Sequence, residues 1–173
     1  MLSNAYSENS ILTFRLVRPD QDNLTQPSSE VKIDKNQGYE LFVKDIENIW
    51  IDKKVELDVK DIKSVIIRII TMSDSGEQEY LPITLAQIAR SPDLKSPSMN
   101  AFSVLLTFTK EGETKIANVT EKNIHRRLAV IVNKRLLMAP RIQDKITGDE
   151  IAISGLTYDE IKSLSDAINN SSK

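Results

Sequence analysis

The chain has 173 residues and 40% apolar content, enough to bury a sizeable core as one folded unit. Its 23 basic and 25 acidic residues nearly balance, so we expect no general attraction to nucleic acid or to anionic membranes. The sequence contains no cysteine, which excludes disulfides, thiolate metal sites and cysteine nucleophiles.

The first predicted elements are strands. Apolar and polar residues alternate over Leu12–Leu16, the period of a half-buried strand, and the alternation resumes over residues 39–43. Residues 19–38 contain two prolines, several Asp, Asn and Ser residues and few apolar ones. This composition predicts a long surface loop between the two strands.

The middle of the chain contains β-branched residues followed by a helix signal. Residues 55–70 predict either two strands or a short helix at 61–64 followed by one strand. Thr84 and Gln87 have the spacing of a capping box, which predicts a short helix that begins there. The proline-containing stretch 91–98 predicts a loop and the boundary between two parts of the domain.

Three further elements follow this loop. Alternation over Phe102–Phe108 predicts a strand whose polar residues, among them Ser103 and Thr107, form a solvated face. Apolar residues at helical spacing predict a helix within 113–126. The unbroken apolar run Leu128–Val132 is typical of a central strand.

The last predicted elements are a hairpin and a helix. Asn133-Lys134 predicts a two-residue turn, because Asn tolerates the positive φ that such turns need, and residues 136–139 form the returning strand. Thr157 and Glu160 form a second capping box. The helix that follows has one apolar stripe made of Ile161, Leu164 and Ile168. The elements together predict an α+β fold: a mixed, mainly antiparallel sheet with amphipathic helices on one face.

Residues able to perform catalysis or bind a cofactor are few. His125 is the only histidine, and no motif supplies the carboxylate and nucleophile that general acid–base work would need, so we expect a surface histidine at a helix end. Gly148 is a single glycine that is not followed by the Gly-Lys-Ser/Thr residues of a phosphate-binding loop, so it is expected to be a turn residue. We therefore expect no cofactor and no metal. We expect Trp50 in the core, and also, in the core or at its rim, Phe102, Phe108, Met138 and Tyr158.

Basic residues concentrate between Thr120 and Arg141, where six basic residues face one acidic residue. Pro140 is expected to end an edge strand, since proline cannot donate to a strand ladder. Such a basic patch could bind an acidic peptide or phospholipid headgroups through paired guanidinium contacts. The alternative is a solvated surface balanced by acidic residues between 144 and 166. The candidate partner-binding residues are Arg126, Arg127, Arg135, Met138, Pro140 and Arg141.

An ordered series of short motifs runs through the same region. A T-x-x-N element begins at Thr120, and it is followed by the apolar strand, the tight turn and Ala139-Pro140. An I-x-G turn at 146–148 and an I-x-I-x-G strand at 151–155 complete the series. This series resembles the head of the first periplasmic domain in the SecD and SecDF protein-export family. With the closing helix, the resemblance covers about residues 102–170.

The sequence differs from the family pattern at three places. His125 stands where the family usually has Gly, Asn133-Lys134 replaces the usual Asp-Gly, and Asp149 replaces a second Gly after Gly148. These differences affect turns rather than strands or helices. They therefore bear on turn geometry more than on the fold.

The resemblance implies a non-catalytic, soluble, stand-alone head of ferredoxin-like fold. Residues 99–173 would form the head and residues 1–98 a smaller strand-rich lobe, within one folded unit. The implied partner is a polypeptide or a translocation or envelope protein. The alternatives are a structural subunit of an envelope complex and, from another class, a small hydrolase or transferase. The fold alone does not decide between these functions.

The expected compartment follows from the resemblance and not from the N-terminus. Residues 1–10 lack the basic and apolar regions of a signal peptide. No run of about 18 apolar residues predicts a membrane-spanning helix. The chain is either cytoplasmic or an exported protein whose signal or anchor is absent from this sequence, and the resemblance favours the periplasm.

Overall fold

A computed structural model describes residues 12–19, 38–44, 47–95 and 102–171. Most of the predicted loop 19–38 and the end of the predicted loop 91–98 lie outside these residues. The strands are β1 (Leu12–Leu16), β2 (Tyr39–Lys44), β3 (Glu47–Asp52), β4 (Leu57–Asp58), β5 (Ile62–Met72), β6 (Gln78–Pro82), β7 (Phe102–Phe108), β8 (Leu128–Val132), β9 (Arg135–Met138) and β10 (Glu150–Leu156). The helices are α1 (Leu85–Ala89), α2 (Lys110–Lys122) and α3 (Tyr158–Ser171), with 3₁₀ helices at Val59–Asp61 and Pro92–Lys95.

The strands form two four-stranded sheets and one hairpin. Sheet 1 has the order β4-β1-β8-β9, sheet 2 has the order β10-β7-β5-β6, and β2 pairs with β3. Every strand pairing among the described residues is antiparallel. The α+β fold with a mainly antiparallel sheet is confirmed. Both sheets combine strands from before and after residues 91–98, and the division into two lobes at residue 98 stays a prediction.

Strand β8 lies inside sheet 1 and is buried on both faces, which explains its unbroken apolar sequence. Leu128, Val130 and Val132 face the main core, which also contains apolar residues of sheet 2 and of α3. Ala129 and Ile131 face a second core. The prediction of a central strand is confirmed.

The second core lies beneath the β2–β3 hairpin. Ile49 and Ile51 of β3 pack there against Ala129 and Ile131. Trp50, between the two isoleucines, lies on the opposite face of β3 because successive side chains of a strand alternate. It is half-buried, with the Arg18 guanidinium 6.0 Å from its ring centroid. The expectation that Trp50 anchors the core was wrong, since its neighbours occupy those positions.

Helix α2 begins and ends earlier than predicted. The Thr109 hydroxyl accepts a hydrogen bond from the Gly112 N–H and so caps the helix before Lys110. At the other end the Asn123 side chain donates to the Val119 carbonyl at 2.8 Å and closes the helix. The predicted range 113–126 was therefore shifted, and Ile124 lies beyond the helix with 39% of its surface exposed.

Most of the other local predictions agree with the structure. The stretch 55–70 contains two strands, β4 and most of β5, with a 3₁₀ helix between them, so each of the two predicted alternatives was correct only in part. The short helix occupies Val59–Asp61 rather than 61–64, and the Asp58 side chain caps it. Capping boxes start α1 at Thr84 and precede α3 at Thr157. Asn133 and Lys134 have φ values of 49° and 62°, the geometry of a two-residue hairpin turn. The apolar stripe of α3 is buried in the main core.

Candidate functional site

The T-x-x-N element holds a turn against the end of α2. The buried Thr120 hydroxyl donates to the Ile116 carbonyl at 2.7 Å and accepts from the Ile146 N–H at 2.9 Å. The second bond attaches the I-x-G turn to the helix. Within that turn Gly148 has a φ of 122°, a conformation that favours glycine. The motif therefore has a structural role here.

Two of the predicted binding arginines also bind the backbone. Arg126 donates to the Val17 carbonyl at 2.7 Å and to the Asn123 side chain at 3.0 Å. Arg127 donates to the Ala139 carbonyl at 2.8 Å. Both arginines are half-buried, and these hydrogen bonds to backbone carbonyls give them a role in the fold.

The remaining candidate residues lie along β9 and just beyond it. Arg135 begins β9, the outer strand of sheet 1, and is exposed. Pro140 and Arg141 follow the strand and are exposed, and Met138 is half-buried against the main core. An isolated bridge pairs Arg141 with Arg127. The structure thus brings Arg127, Pro140 and Arg141 together and places Arg135 at the other end of β9.

His125 lies between α2 and β8 and is exposed. Its φ is 70°, and its N–H donates to the Ile142 carbonyl at 2.8 Å. Among the residues that the structure describes, no three His, Cys, Asp or Glu side chains are grouped so that they could hold a metal ion. In the same part of the chain, none of the helices has the length and apolar character needed to cross a bilayer.

Sheet 2 has a partly apolar surface that was not predicted from the sequence. Val65, Ile67 and Ile69 of β5 pack against the main core, so the alternate residues of β5 point to the opposite face. We call that face the outer face. On it Ile66 is 43% exposed, and Met72 is 67% exposed. The apolar and aromatic residues of the outer face are Ile66, Ile70, Met72, Tyr80, Pro82 and Leu105.

Arg68 lies in the middle of the outer face. Its Nη2 donates to the Ser103 hydroxyl at 3.1 Å, and its guanidinium lies 4.9 Å from the ring centroid of Tyr80. Ser103 is fully buried because Arg68 and Ser154 both contact its hydroxyl. The predicted solvated face of β7 was therefore wrong at Ser103.

Strand β6 is an open edge of sheet 2, and all five of its residues are exposed. The Ile83 N–H donates to the Ile67 carbonyl, and the Ser73 N–H donates to the Glu77 carbonyl. Because antiparallel bonds alternate along a strand, the backbone groups of Gln78 and Tyr80 point away from β5. An edge of this kind can accept another strand.

One signal in the sequence pointed to this surface. Residues 65–70 are apolar at every position except Arg68, which is typical of a strand buried on both faces. In the structure only one of these faces packs against the main core. Sequence periodicity identifies an apolar face but not what covers it.

Comparison with known proteins identifies the family. The model of the SecDF P1 head subdomain matches residues 83–172, and the chain belongs to this family. It is 46% identical over 54 residues to the protein translocase subunit SecDF of Thermus thermophilus, covering 31% of this chain. It is 25% identical over 107 residues to the protein translocase subunit SecD of Acidaminococcus fermentans, covering 59% of this chain.

The matches cover only part of each relative. They span 7% of the Thermus protein and 26% of the Acidaminococcus protein. A crystal structure of SecDF in a super-membrane-facing form aligns with 92% of this chain and 18% of that chain, at 22% identity and a TM-score of 0.49. The family match begins at residue 83, so β5 and β6, including Arg68 and Tyr80, lie before the matched region.

Proposed function

We propose that the chain is a non-catalytic, extracytoplasmic head domain that binds polypeptide in protein translocation. Membership of the SecDF P1 head family and the names of the relatives, which are protein translocase subunits, support a role in this process. The observation that carries the binding proposal is the open edge of β6 beside the apolar outer face of sheet 2.

Binding at this edge would depend mainly on backbone hydrogen bonds between the polypeptide and β6. An extended polypeptide offers N–H and C=O groups that match the outward groups of Gln78 and Tyr80. Its alternate side chains would lie on the outer face beside Met72 and Tyr80, which are exposed and apolar or aromatic. A folded protein buries most of its backbone and apolar side chains, so the site would favour unfolded chains.

The exposed basic residues near β9 form a second proposed surface. Arg135 and Arg141 are exposed and would assist an acidic polypeptide mainly by long-range attraction. Arg126 and Arg127 contribute less to this surface, because their guanidinium groups already bind backbone carbonyls. This surface would raise the association rate more than the affinity.

The experiment compares unfolded and folded forms of one secretory precursor. We expect the unfolded form to bind and the folded form not to bind. Gln78→Pro removes one outward N–H without removing a bond to β5, and Gln78→Thr is the matched control that keeps it. Weaker binding by the proline variant alone, at equal melting temperature, supports the edge, whereas equal binding of folded and unfolded forms contradicts the proposal.

Two further measurements separate this function from its alternatives. An Arg135→Glu, Arg141→Glu double variant tests the basic surface. If the salt dependence of binding is the same as for the wild type, this surface has no role in binding. A structural subunit of an envelope complex would retain its partner through gel filtration, whereas the proposed module would release it. Turnover of a hydrolase substrate that His125→Ala abolishes would identify an enzyme instead.

A further inference from the structure

Among the residues that the structure describes, Arg68 has no ion-pair partner, although it lies among apolar side chains. In this part of the chain its guanidinium makes a hydrogen bond to the Ser103 hydroxyl and a cation–π contact with the Tyr80 ring. Its Nε is shielded from solvent and makes no hydrogen bond, and Nη2 is occupied by Ser103. A guanidinium group with unused donors in an apolar surrounding binds a carboxylate more strongly than the same group in water.

The acidic residues of the neighbouring strands do not compensate this charge. Glu79 of β6 is adjacent to Tyr80 and therefore points to the opposite face of the sheet. Glu150 of β10 pairs with Thr107 of β7, whereas Arg68 pairs with Ser103, which is four residues away on the same strand. Glu150 also accepts a hydrogen bond from the Thr107 hydroxyl. The outer face thus presents an uncompensated positive charge surrounded by apolar side chains.

From these contacts we infer that the outer face selects a glutamate side chain of an extended peptide added to β6, flanked by apolar residues two positions away on each side. This inference rests on the proposed function. Strands in a sheet are about 4.8 Å apart, so a peptide beside β6 would lie about two strand spacings from β5. The Arg68 guanidinium leans over Tyr80 of β6, which shortens the gap, and the longer side chain of Glu spans it better than that of Asp.

The side-chain alternation makes the selection depend on register. A Glu residue that points to the outer face meets Arg68, whereas the same residue moved by one position points to the other face, where Glu79 lies. The apolar flanking residues would lie on either side of Tyr80 along the outer face of β6, one beside Pro82 and one toward the exposed Met72. The recognised feature is therefore an acidic residue within an alternating apolar pattern, rather than general negative charge.

The test uses the full chain and three synthetic peptides of equal length with alternating apolar residues. The first has Glu at the central outward position, the second has Gln there, and the third has the Glu moved by one residue. Fluorescence polarisation should show the first peptide binding about fivefold to tenfold more tightly than the other two, as expected for one charge-assisted hydrogen bond. The ratio should decrease at high salt.

Two variants test the residue itself. Arg68→Gln should bind the central-Glu and Gln peptides equally, and Arg68→Lys should retain only part of the preference, because Lys lacks the planar fork. Equal affinity of wild-type protein for the Glu and Gln peptides would overturn the inference while leaving polypeptide binding intact. Binding of none of the peptides, with the unfolded precursor still bound, would place the polypeptide site elsewhere and also overturn it.

Discussion

Gly112 of α2 lies so close to Asp61 that a Cβ atom added to the glycine would overlap the Asp61 carbonyl oxygen and lie 3.0 Å from the Asp61 Cβ. The same carbonyl accepts a hydrogen bond from the Thr109 N–H at 2.9 Å. The first turn of α2 is therefore packed against the 3₁₀ helix Val59–Asp61, and glycine is the residue that permits this approach.

This contact predicts whether replacing Gly112 stabilises or destabilises the protein. Gly112→Ala would stabilise an isolated helix by up to about 1 kcal/mol, because alanine has the higher helix propensity. Here the added methyl group meets backbone, so we expect a net destabilisation of about 1–3 kcal/mol. Asn118→Ala, at an exposed position of the same helix, is the control and should be neutral or mildly stabilising. Denaturant unfolding of both variants measures the difference, and a stabilised Gly112→Ala protein would contradict the packing.

Asp61 also forms an ion pair in which its own carboxylate is buried. Its carboxylate accepts from the Lys115 ammonium at 2.7 Å and from the Asp58 N–H at 3.0 Å, and its side chain is only 3% exposed. Lys115→Met would leave this charge with one hydrogen bond. Since Lys115 is 42% exposed, solvent screens the ion pair and reduces the loss of stability. We expect Lys115→Met to lower the unfolding free energy by about 1–2 kcal/mol.

The control for this pair is Lys110→Met, which removes an exposed pair with Glu113 in the same helix. Exposed pairs contribute little, so this variant should leave the unfolding free energy nearly unchanged. Chemical denaturation in low and high salt checks both variants. Equal effects of the two substitutions would show that burial of Asp61 does not strengthen the pair.

His125 occupies a backbone conformation that favours glycine, with a φ of 70°. A histidine at this φ is strained, because its Cβ atom disfavours the left-handed region that glycine adopts freely. His125→Gly should stabilise the protein by up to about 1 kcal/mol, whereas His125→Val should destabilise it. Thermal unfolding distinguishes them, and a valine variant as stable as the glycine variant would contradict the positive φ.

The hairpin turn gives a related prediction at Asn133 and Lys134, both of which have positive φ. Asn133→Gly should be tolerated or mildly stabilising, because type I′ turns accept glycine. Asn133→Val should lower the melting temperature, since a β-branched residue resists this conformation. Differential scanning calorimetry measures both, and equal melting temperatures for the wild type and Asn133→Val would contradict the turn.

Features set by neighbouring residues could be predicted from the sequence. The capping boxes at Thr84 and Thr157 and the turn at Asn133 depend on residues within a few positions of one another. The double burial of β8 follows from five consecutive apolar residues. The motifs at Thr120 and Ile146 also identified the family correctly, because their order along the chain carries more information than any one of them.

Features set by distant contacts could not be predicted. Arg126 was expected at a partner surface, but it binds the Val17 carbonyl, 109 positions away in the chain. Arg68 interrupted an apolar run without any indication that Ser103 and Tyr80 would surround it. A sequence shows that a residue is charged, but not which distant group satisfies it.

The closing helix α3 provides the most direct test of the core. Leu164 is fully buried in the main core, between the two sheets that α3 contacts, while Lys162 on the same helix is exposed and pairs with Asp166 at 2.8 Å. Leu164→Ala removes buried methyl groups and leaves a cavity, so we expect a loss of about 2–5 kcal/mol. Lys162→Ala keeps the helix propensity and loses only an exposed ion pair, so it should leave the stability nearly unchanged. Urea midpoints of the two variants, compared at equal slope, check the prediction, and midpoints that do not separate would show that α3 does not pack on the sheets through this stripe.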